Sequence, residues 1–273
     1  MDNEKSSKIN NEIEKKLMNI CKLFMDNCYK VEKNEDSSDG NVYVLYCEKN
    51  KYIAKIYNDI LHAQAMINLH QNLDNAGISV PRVIYTDCNE IDNNSCEYIV
   101  IYSFINGKQI SDMLHNGKVE DNLIIPIAKK VRKMHDTFVN ENQFGLPELS
   151  FDTYNNRKTV LHFDLTKSNI FSDENANIAI IDFDDARYGS AIYDISILIS
   201  TFFFSKSRGI DIEGMEKFLD EYYGEDVALE NEEKPLIKVC AIQWIDYLLS
   251  ENKIESSLIE SFKAKRKFIS DNL

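Results

Sequence analysis

The sequence predicts an α+β fold with two unlike lobes, a small antiparallel-sheet N-lobe and a larger, mainly helical C-lobe. Runs of β-branched and aromatic residues separated by polar turns are concentrated in the first part of the 273 residues. After residue 111 apolar residues recur mostly at helical spacing. A chain of this length can bury the cores of two lobes. We place the boundary after residue 102, which gives the predicted domains 1–102 and 103–273.

The N-lobe pattern predicts two helices and four strands. Apolar residues at helical spacing predict an amphipathic helix over 8–26. A second helix is predicted over 60–76, since Asp59 can cap its start and Gly77 can end it. The strand-like runs lie at residues 41–46, 51–57, 82–86 and 98–104. A short polar turn separates the first two runs, which indicates a hairpin.

The C-lobe is predicted to be helical from Ser111 onward, with one exception. Residues 169–171 and 178–181 are short β-rich runs around a polar turn, and they indicate a hairpin. Further along, apolar residues at helical spacing predict one helix over 215–223 and another over 235–249. The sequence contains no internal repeat, low-complexity tract or long linker.

Composition excludes several classes of function. The net charge of −14 and the lack of basic patches argue against a nucleic-acid partner, and they suit a cationic or neutral ligand better. No stretch approaches the roughly 20 apolar residues of a membrane helix, and the first residues are polar, so we expect a cytoplasmic protein without membrane contact. The six cysteines form no CxxC pair, so they are expected to be reduced and structural, with neither a zinc site nor a disulfide framework.

The charge is unevenly distributed along the C-lobe. Residues 211–233 carry ten acidic side chains against one base. A solvated helical surface explains this stretch, and an acidic wall that attracts a polycation is the alternative. A basic group at residues 263–267 is expected on a solvated final helix.

The most informative motif is the segment 162–169, His-Phe-Asp-Leu-Thr-Lys-Ser-Asn, which is followed by Asp182 in Ile-Ile-Asp-Phe-Asp-Asp. Asp164 supplies a carboxylate that can orient an acceptor hydroxyl. Asn169 and Asp182 supply two oxygen ligands that can hold magnesium. Together they are the minimum for moving a phosphoryl group from a nucleotide, so the motif predicts a phosphotransferase.

Lys55 is the candidate phosphate ligand of the N-lobe. It lies inside an otherwise apolar strand, where an edge lysine on the solvent face is the simpler interpretation. Its place in a chain that carries the other motifs favours phosphate binding instead. Upstream, the polar turn 36–41 could lay backbone amides over phosphates, although it lacks a GxGxxG pattern.

The order of several short motifs carries a family resemblance. The motifs are Gly40-Asn41-x-Tyr43, Lys55, residues 77–83, residues 104–107, Met134-His135, residues 162–169, residues 181–186 and Asp194. From about residue 30 to about residue 225 the chain resembles the aminoglycoside phosphotransferase and choline kinase superfamily, the small-molecule branch of the protein-kinase-like fold. The resemblance implies that fold for the two lobes.

The resemblance also implies roles for the C-lobe motif. Asp164 would be the catalytic residue, acting on the acceptor hydroxyl as base or positioner. Asn169 and Asp182 would ligate Mg²⁺. His162 would brace the catalytic loop, and Asp194 would bond the loop backbone beneath the magnesium site.

The nucleotide-binding roles implied by the resemblance fall in the N-lobe and at its end. The residues are Lys55, Gly40, Asn41, Ser103, Phe104, Ile105 and Gln64. Lys55 would contact the α- and β-phosphates of ATP or GTP, and the segment 103–105 would offer backbone groups to the nucleobase. The register of the second predicted helix puts Gln64 where the family commonly has a glutamate that pairs with the lysine, so either the register differs or the lysine is positioned more loosely. A glutamine can still hydrogen-bond Lys55, but it lacks the charge that makes such a pair strong.

The sequence determines the identity of the acceptor least of all. Candidate acceptor residues are Asp246, Gln243, Trp244 and Tyr222, for which a core or solvent face is the alternative interpretation. The leading hypothesis is a small-molecule O-phosphotransferase that moves the γ-phosphate of a nucleoside triphosphate to the hydroxyl of an aminoglycoside or another cationic compound, with antibiotic resistance as its consequence. The alternatives are a kinase of choline, homoserine or a sugar, a stress-response-type Ser/Thr protein kinase, and an inactive nucleotide-binding module. The oligomeric state stays open.

Overall fold

The computed structural model describes residues 2–24, 27–34, 41–88, 97–154, 157–205, 209–251, 254 and 256–273, and in the first helix the side chains of residues 12–23. Contacts divide the chain into two compact units. The first unit comprises Met1–Asn75 and Val80–Ile105, and the second comprises Ala76–Ser79 and Asn106–Leu273. The sequence predicted a boundary after residue 102 and gave no sign that residues 76–79 pack with the second unit.

The first unit is a five-stranded antiparallel sheet with two helices. In chain order its elements are α1 (Asp2–Phe24), β1 (Cys28–Lys33), β2 (Val42–Cys47), β3 (Lys51–Tyr57), α2 (Ile60–Asn75), β4 (Val83–Thr86) and β5 (Tyr98–Ser103). The strand order is β1-β2-β3-β5-β4. The four predicted strands, the hairpin β2–β3 and both predicted helices are therefore confirmed. Strand β1 was not predicted, because only one of its side chains is buried and an edge strand of this kind shows little alternation.

Two local signals account for the bounds of α2. The carboxylate of Asp59 accepts a hydrogen bond from the backbone N–H of Leu61 at 2.8 Å, which satisfies a donor of the first turn. Gly77 follows the helix with a φ of +71°, a left-handed conformation that glycine adopts without a steric cost. Both features were predicted from the sequence.

The second unit is mainly helical and carries three small sheets. In chain order its elements are β6 (Lys108–Gln109), α3 (Asp121–Thr137), β7 (Lys158–Leu161), β8 (Ile170–Ser172), β9 (Ile178–Ile180), β10 (Arg187–Ser190), α4 (Ile192–Phe202), β11 (Phe204–Ser205), β12 (Gly209–Ile210), α5 (Ile212–Tyr223), α6 (Val227–Glu233), α7 (Ile237–Ser250) and α8 (Ile259–Asn272), with 3-10 turns at Ile110–Met113 and Lys234–Leu236. The predicted hairpin is β8–β9.

The expectation that the chain is helical from Ser111 onward, apart from the predicted hairpin, is wrong at four short strands, β7, β10, β11 and β12, and β6, which precedes Ser111, was not predicted. β6 pairs with β8, β7 pairs with β10, and β11 pairs with β12, all antiparallel. β7 (Lys-Thr-Val-Leu) is only four residues long, so periodicity cannot distinguish it from one turn of a helix, and two-residue strands have no periodicity at all. None of the described helices is long and apolar enough to cross a membrane.

Half of the acidic side chains in residues 211–233 are ion-paired. Five of its ten acids form ion pairs with bases in the described residues. The bonds from Lys118 to Asp211 at 2.7 Å and from Lys129 to Glu221 at 3.4 Å are examples. The last acid, Glu233, is buried and accepts a hydrogen bond from Tyr223. This part of the surface is therefore a solvated, ion-paired helical face rather than an unbroken acidic wall.

Candidate active site

Two small sheets bring the separate motif segments together. The segment 162–169 leaves the end of β7 and enters β8, while the segment 181–186 leaves β9 and enters β10. Because Leu161 of β7 pairs with Arg187 of β10, both segments start or end at the same edge of that pair. The backbone N–H of Ile181 donates to the carbonyl of Asn169 at 2.9 Å, which sets Asp182 beside Asn169.

Asp194 anchors the start of the catalytic loop from below. It lies on α4 with no exposed surface, and its oxygens accept hydrogen bonds from the backbone N–H groups of His162 and Phe163, both at 2.8 Å. His135, also fully buried, donates from Nε2 to the same carboxylate at 3.1 Å. Burial lowers the pKa of His135, and the bond to Asp194 opposes that effect. The predicted contact of Asp194 with loop backbone is present.

His162 ties the two motif segments to each other. Its Nε2 lies 2.7 Å from the carbonyl of Ile181, and its Nδ1 lies 3.2 Å from the backbone N–H of Asp164. A carbonyl only accepts and an N–H only donates, so the ring is the neutral tautomer with the proton on Nε2. The neighbouring Phe163 has a φ of +63°, an uncommon conformation for a bulky residue, which the bond to Asp194 helps to hold. His162 thus braces the loop, as predicted.

The carboxylate of Asp164 is held on one side and open on the other. Asn169 donates from Nδ2 to Asp164 Oδ2 at 2.8 Å and to the Asp164 carbonyl at 2.9 Å. Among the described residues none donates to Asp164 Oδ1. Burial raises the pKa of Asp164 to about 6, the charges of Asp185 and Asp182 add to the rise, and the hydrogen bond from Asn169 opposes it. This is a carboxylate with one fixed and one available oxygen.

Asn169 and Asp182 fit a hard divalent cation. The two bonds that Asn169 donates fix its amide, and nothing in the described chain donates to its Oδ1. Asp182 is exposed and has a φ of +67°, so its backbone is held in a strained conformation beside Asn169. Amide and carboxylate oxygens are ligands that Mg²⁺ accepts. A cation here would also reduce the electrostatic repulsion among the carboxylates of Asp164, Asp182 and Asp185.

Two lysines near Asp164 were not predicted as site residues. Lys167 belongs to the catalytic loop, and Lys265 comes from α8; both are half-buried. Lys265 Nζ lies 5.5 Å from the ring centroid of Trp244, and Lys167 Nζ lies 6.0 Å from that of Phe202. Burial lowers the pKa of Lys265 to about 8, with Lys167 adding to the effect and Asp164 opposing it. The expectation of a wholly solvated final helix is thus wrong for Lys265, although the other basic residues nearby gave no signal to distinguish it.

Three of the four predicted acceptor residues have hydrogen-bond partners within the second unit, and among the described residues Trp244 has ring contacts alone. Tyr222 is buried, and its hydroxyl accepts from Arg157 at 2.5 Å and lies 2.7 Å from His135 Nδ1. Gln243 accepts a hydrogen bond from Tyr193 at 2.9 Å. Asp246 is held by the guanidinium of Arg266 at 2.5 and 2.8 Å. Trp244 is buried beneath Lys265. These contacts account for Tyr222 and Asp246 without an acceptor.

The predicted nucleotide residues lie in the first unit, apart from Gly40, which is outside the described residues. Lys55 is half-buried in the middle of β3, opposite Val42 on one side and Val100 on the other. Gln64 is exposed on α2. The remaining residues stand at strand ends: Asn41 accepts from Ile56 through its carbonyl, Ser103 exchanges hydrogen bonds with Arg82, Phe104 lies under the ammonium of Lys51, and Ile105 is half-buried.

Comparison with known proteins gives one match to a family model and several solved structures with a similar fold. Residues 146–227 match the model of the phosphotransferase enzyme family. No curated protein matches the chain significantly. A solved structure of aminoglycoside 2'-phosphotransferase-IIIa with GDP is similar to this chain, with 12% identity over 90% of this chain and 94% of that chain and a TM-score of 0.65.

Two further solved structures have the same fold. The choline kinase LicA from Streptococcus pneumoniae is 14% identical over 95% of this chain and 99% of that chain, with a TM-score of 0.62. A spectinomycin phosphotransferase in complex with ADP and spectinomycin is 16% identical over 93% of each chain, with a TM-score of 0.59. These matches show the kinase-like fold that the sequence predicted, and the family model links residues 146–227 to phosphotransferase enzymes. The matched residues include the catalytic loop and Asp182.

Proposed function

Because residues 146–227 match the phosphotransferase enzyme family, we propose that this protein moves the γ-phosphate of ATP or GTP to a hydroxyl of a small acceptor. The observation that carries the proposal is the arrangement of Asp164. Its Oδ2 is fixed by Asn169, while its Oδ1 receives no hydrogen bond from the described chain. An acceptor hydroxyl can occupy that open position.

Asp164 is suited to the proton transfer that such a reaction requires. Oδ1 would accept the hydrogen bond of the acceptor hydroxyl and aim its oxygen at the γ-phosphorus. As the new O–P bond forms and the bond to the β-phosphate oxygen breaks, the hydroxyl proton passes to the carboxylate. With a pKa of about 6, the group is about nine-tenths ionised at pH 7 and is a stronger base than an ordinary aspartate.

The loop architecture keeps that carboxylate in position. Asp194 holds the start of the loop through two backbone bonds, and His162 holds the segment that contains Asp182. Asn169 Oδ1 and the Asp182 carboxylate would hold Mg²⁺, which would offset the negative charge of the nucleotide phosphates when bound. Hydrogen bonds within the protein therefore hold the loop and Asn169 in place before a ligand arrives, which reduces the cost of organising the site.

We assign the nucleotide to the residues of the first unit that the family resemblance implies. Lys55 would bind the α- and β-phosphates, and the segment 103–105 would offer backbone groups to the base. Structures with the same fold hold GDP and ADP, which supports nucleotide use and leaves both ATP and GTP as donors. The turn that contains Gly40 lies outside the described residues, and its backbone amides stay a predicted phosphate ligand.

For the acceptor we propose an aminoglycoside or a related cationic hydroxyl compound, in line with the spectinomycin that is bound in one of the similar structures. Such an enzyme would confer antibiotic resistance. A second candidate, a kinase of a small metabolite, is favoured by Lys167 and Lys265. Two partly buried ammonium groups near Asp164 would repel a polycation and attract an acceptor that carries a carboxylate, such as homoserine.

The test is an acceptor screen with matched variants. ADP or GDP release would be measured with ATP and GTP, in Mg²⁺, across aminoglycosides, choline, homoserine, methylthioribose and sugars. Aminoglycoside turnover should be matched by a higher inhibitory concentration in a sensitive bacterium that expresses the protein. Asp164→Ala should abolish transfer and leave nucleotide binding intact. An active Asp164→Ala enzyme would refute the catalytic assignment, and Mg²⁺-dependent nucleotide binding without turnover would identify an inactive binding module.

A further inference from the structure

Three cysteines from separate elements meet in the core of the first unit. Cys21 lies on α1, Cys28 on β1 and Cys47 on β2, and their sulfur atoms all lie within 4.8 Å of one another. Their side chains are 0, 3 and 5% exposed. Cys28 and Cys47 are directly opposite each other in the β1–β2 pair, and α1 brings Cys21 over them. We call these three residues the cysteine cluster.

The cluster is unlike the other described cysteines of the chain. Cys88 and Cys240 are buried as well, but neither belongs to a group of metal-ligating side chains within the described residues. A lone buried cysteine behaves as a small apolar residue. Three thiols at one point instead form a set of soft donors that a single ion can bind together.

The surroundings of the cluster limit what can bind there. The packed neighbours are apolar side chains of α1 and of the sheet: Leu17, Ile20, Tyr43, Leu45, Ala54, Ile56, Ile99 and Ile101. No histidine or carboxylate of the described chain joins the three sulfurs. One further oxygen is close, because Cys28 Sγ donates to the Lys30 carbonyl at 3.4 Å. The available ligand set is therefore three sulfurs and one backbone oxygen.

That ligand set fits a soft divalent ion in size and in charge. A metal–sulfur distance of about 2.3 Å in a tetrahedral site places ligand sulfurs about 3.8 Å apart, so each sulfur is within about 1 Å of a ligating position. Without a bound cation, the free energy of burying charged thiolates in an apolar core is too high. A bound cation supplies the opposite charge. A divalent ion leaves one uncompensated negative charge on three thiolates, whereas a monovalent ion leaves two. Loss of the Cys28 thiol proton also frees the Lys30 carbonyl.

We propose that Cys21, Cys28 and Cys47 bind one thiophilic divalent ion of the zinc class, with the Lys30 carbonyl as a fourth ligand. The site is structural, since its ligands tie α1 to β1 and β2. It is independent of phosphotransfer, so its test and that of the proposed function can fail separately. Spacing rules did not reveal it, because intervals of seven and nineteen residues are not a CxxC-type pattern and the ligands meet only through strand pairing and helix packing.

The first experiment uses the reduced, chelator-treated full chain and titrates it with Zn²⁺ and Cd²⁺. We expect one ion per chain by elemental analysis after gel filtration, an ultraviolet sulfur-to-cadmium charge-transfer band and a higher melting temperature. Cys21→Ala and Cys47→Ala should weaken binding at least tenfold. The matched controls Cys88→Ala and Cys240→Ala remove equally buried cysteines outside the cluster and should bind as the wild type does. Substoichiometric binding, or equal losses in the controls, would overturn the proposal.

A second measurement needs no variant and stays informative where the alanine variants do not fold. X-ray absorption at the zinc edge of the loaded wild-type protein should show three sulfur neighbours and one oxygen neighbour. A first shell of nitrogen and oxygen alone, or with a single sulfur, would show that the ion binds elsewhere and would refute the site. Affinity should also rise with pH, because the thiols must lose protons before they bind.

Discussion

Replacing Asp194 with asparagine tests how the catalytic loop is anchored. The two carboxylate oxygens accept three hydrogen bonds, from the backbone N–H groups of His162 and Phe163 at 2.8 Å and from His135 at 3.1 Å. The side chain is completely buried. An asparagine has the same shape but offers one acceptor oxygen and one NH₂ group, so it cannot accept on both sides.

The magnitude follows from those three bonds. If the amide oxygen of Asp194→Asn takes the position of Oδ2, the bonds from His162 and His135 persist without charge assistance, at a loss of about 1 kcal/mol each. The NH₂ group then faces the N–H of Phe163, and a buried donor without a partner costs about 1–3 kcal/mol. The total, about 3–5 kcal/mol, is a large part of the roughly 5–15 kcal/mol that stabilises a typical protein.

Urea unfolding, followed by fluorescence of the single tryptophan, Trp244, measures this loss. Asp220→Asn, on the exposed face of α5, is the control and should change the free energy of unfolding by less than about 0.5 kcal/mol. We also expect kcat to fall more than nucleotide affinity, since the bonds position Asp164. A loss below about 1 kcal/mol, with transfer intact, would refute the anchoring role.

Three further predictions concern the site itself. Because Asp164 must be deprotonated to act as the base, kcat/KM should rise with pH through about 6 and level off above it. Asp185→Asn removes a charge that raises the pKa of Asp164, so it should shift that rise to lower pH. An unchanged pH profile in this variant would contradict the electrostatic account. Lys265→Met should raise KM at least tenfold for a carboxylate-bearing acceptor. The control is Lys263→Met, which should leave KM unchanged because the Lys263 ammonium pairs with Glu260 on the surface. Equal effects of the two substitutions would exclude Lys265 from the acceptor site. Asn169→Ala should weaken Mg²⁺ binding tenfold or more in a titration with nucleotide present, and unchanged metal affinity would exclude Asn169 as a ligand.

Local patterns were enough to predict most of the first unit. The strands flanking Lys55 alternate or carry β-branched residues, and Asp59 and Gly77 mark the ends of α2 through interactions that span only a few residues. β1 was missed because its side chains are mostly exposed, so burial leaves little pattern on it. In the second unit, β7 and β10 were missed because pairing between distant segments, rather than local propensity, makes them strands.

The tertiary structure changed the interpretation of several charged groups. Composition alone cannot show whether the acidic residues in 211–233 attract a ligand or pair with bases. The fold shows that Lys118 and Lys129 form ion pairs with them. Lys265 is one of several bases in the final helix, and only packing against Trp244 distinguishes it.

The sequence by itself determined the chemistry of the loop, because Asp164, Asn169 and Asp182 belong to two short segments whose order and spacing limit what they can do. Only the tertiary structure decided what surrounds them. The anchoring by Asp194 and His135, the approach of Lys265 and the meeting of Cys21, Cys28 and Cys47 depend on contacts between residues far apart in the chain. Such contacts follow from strand pairing and helix packing as a whole, and no local window of residues contains them.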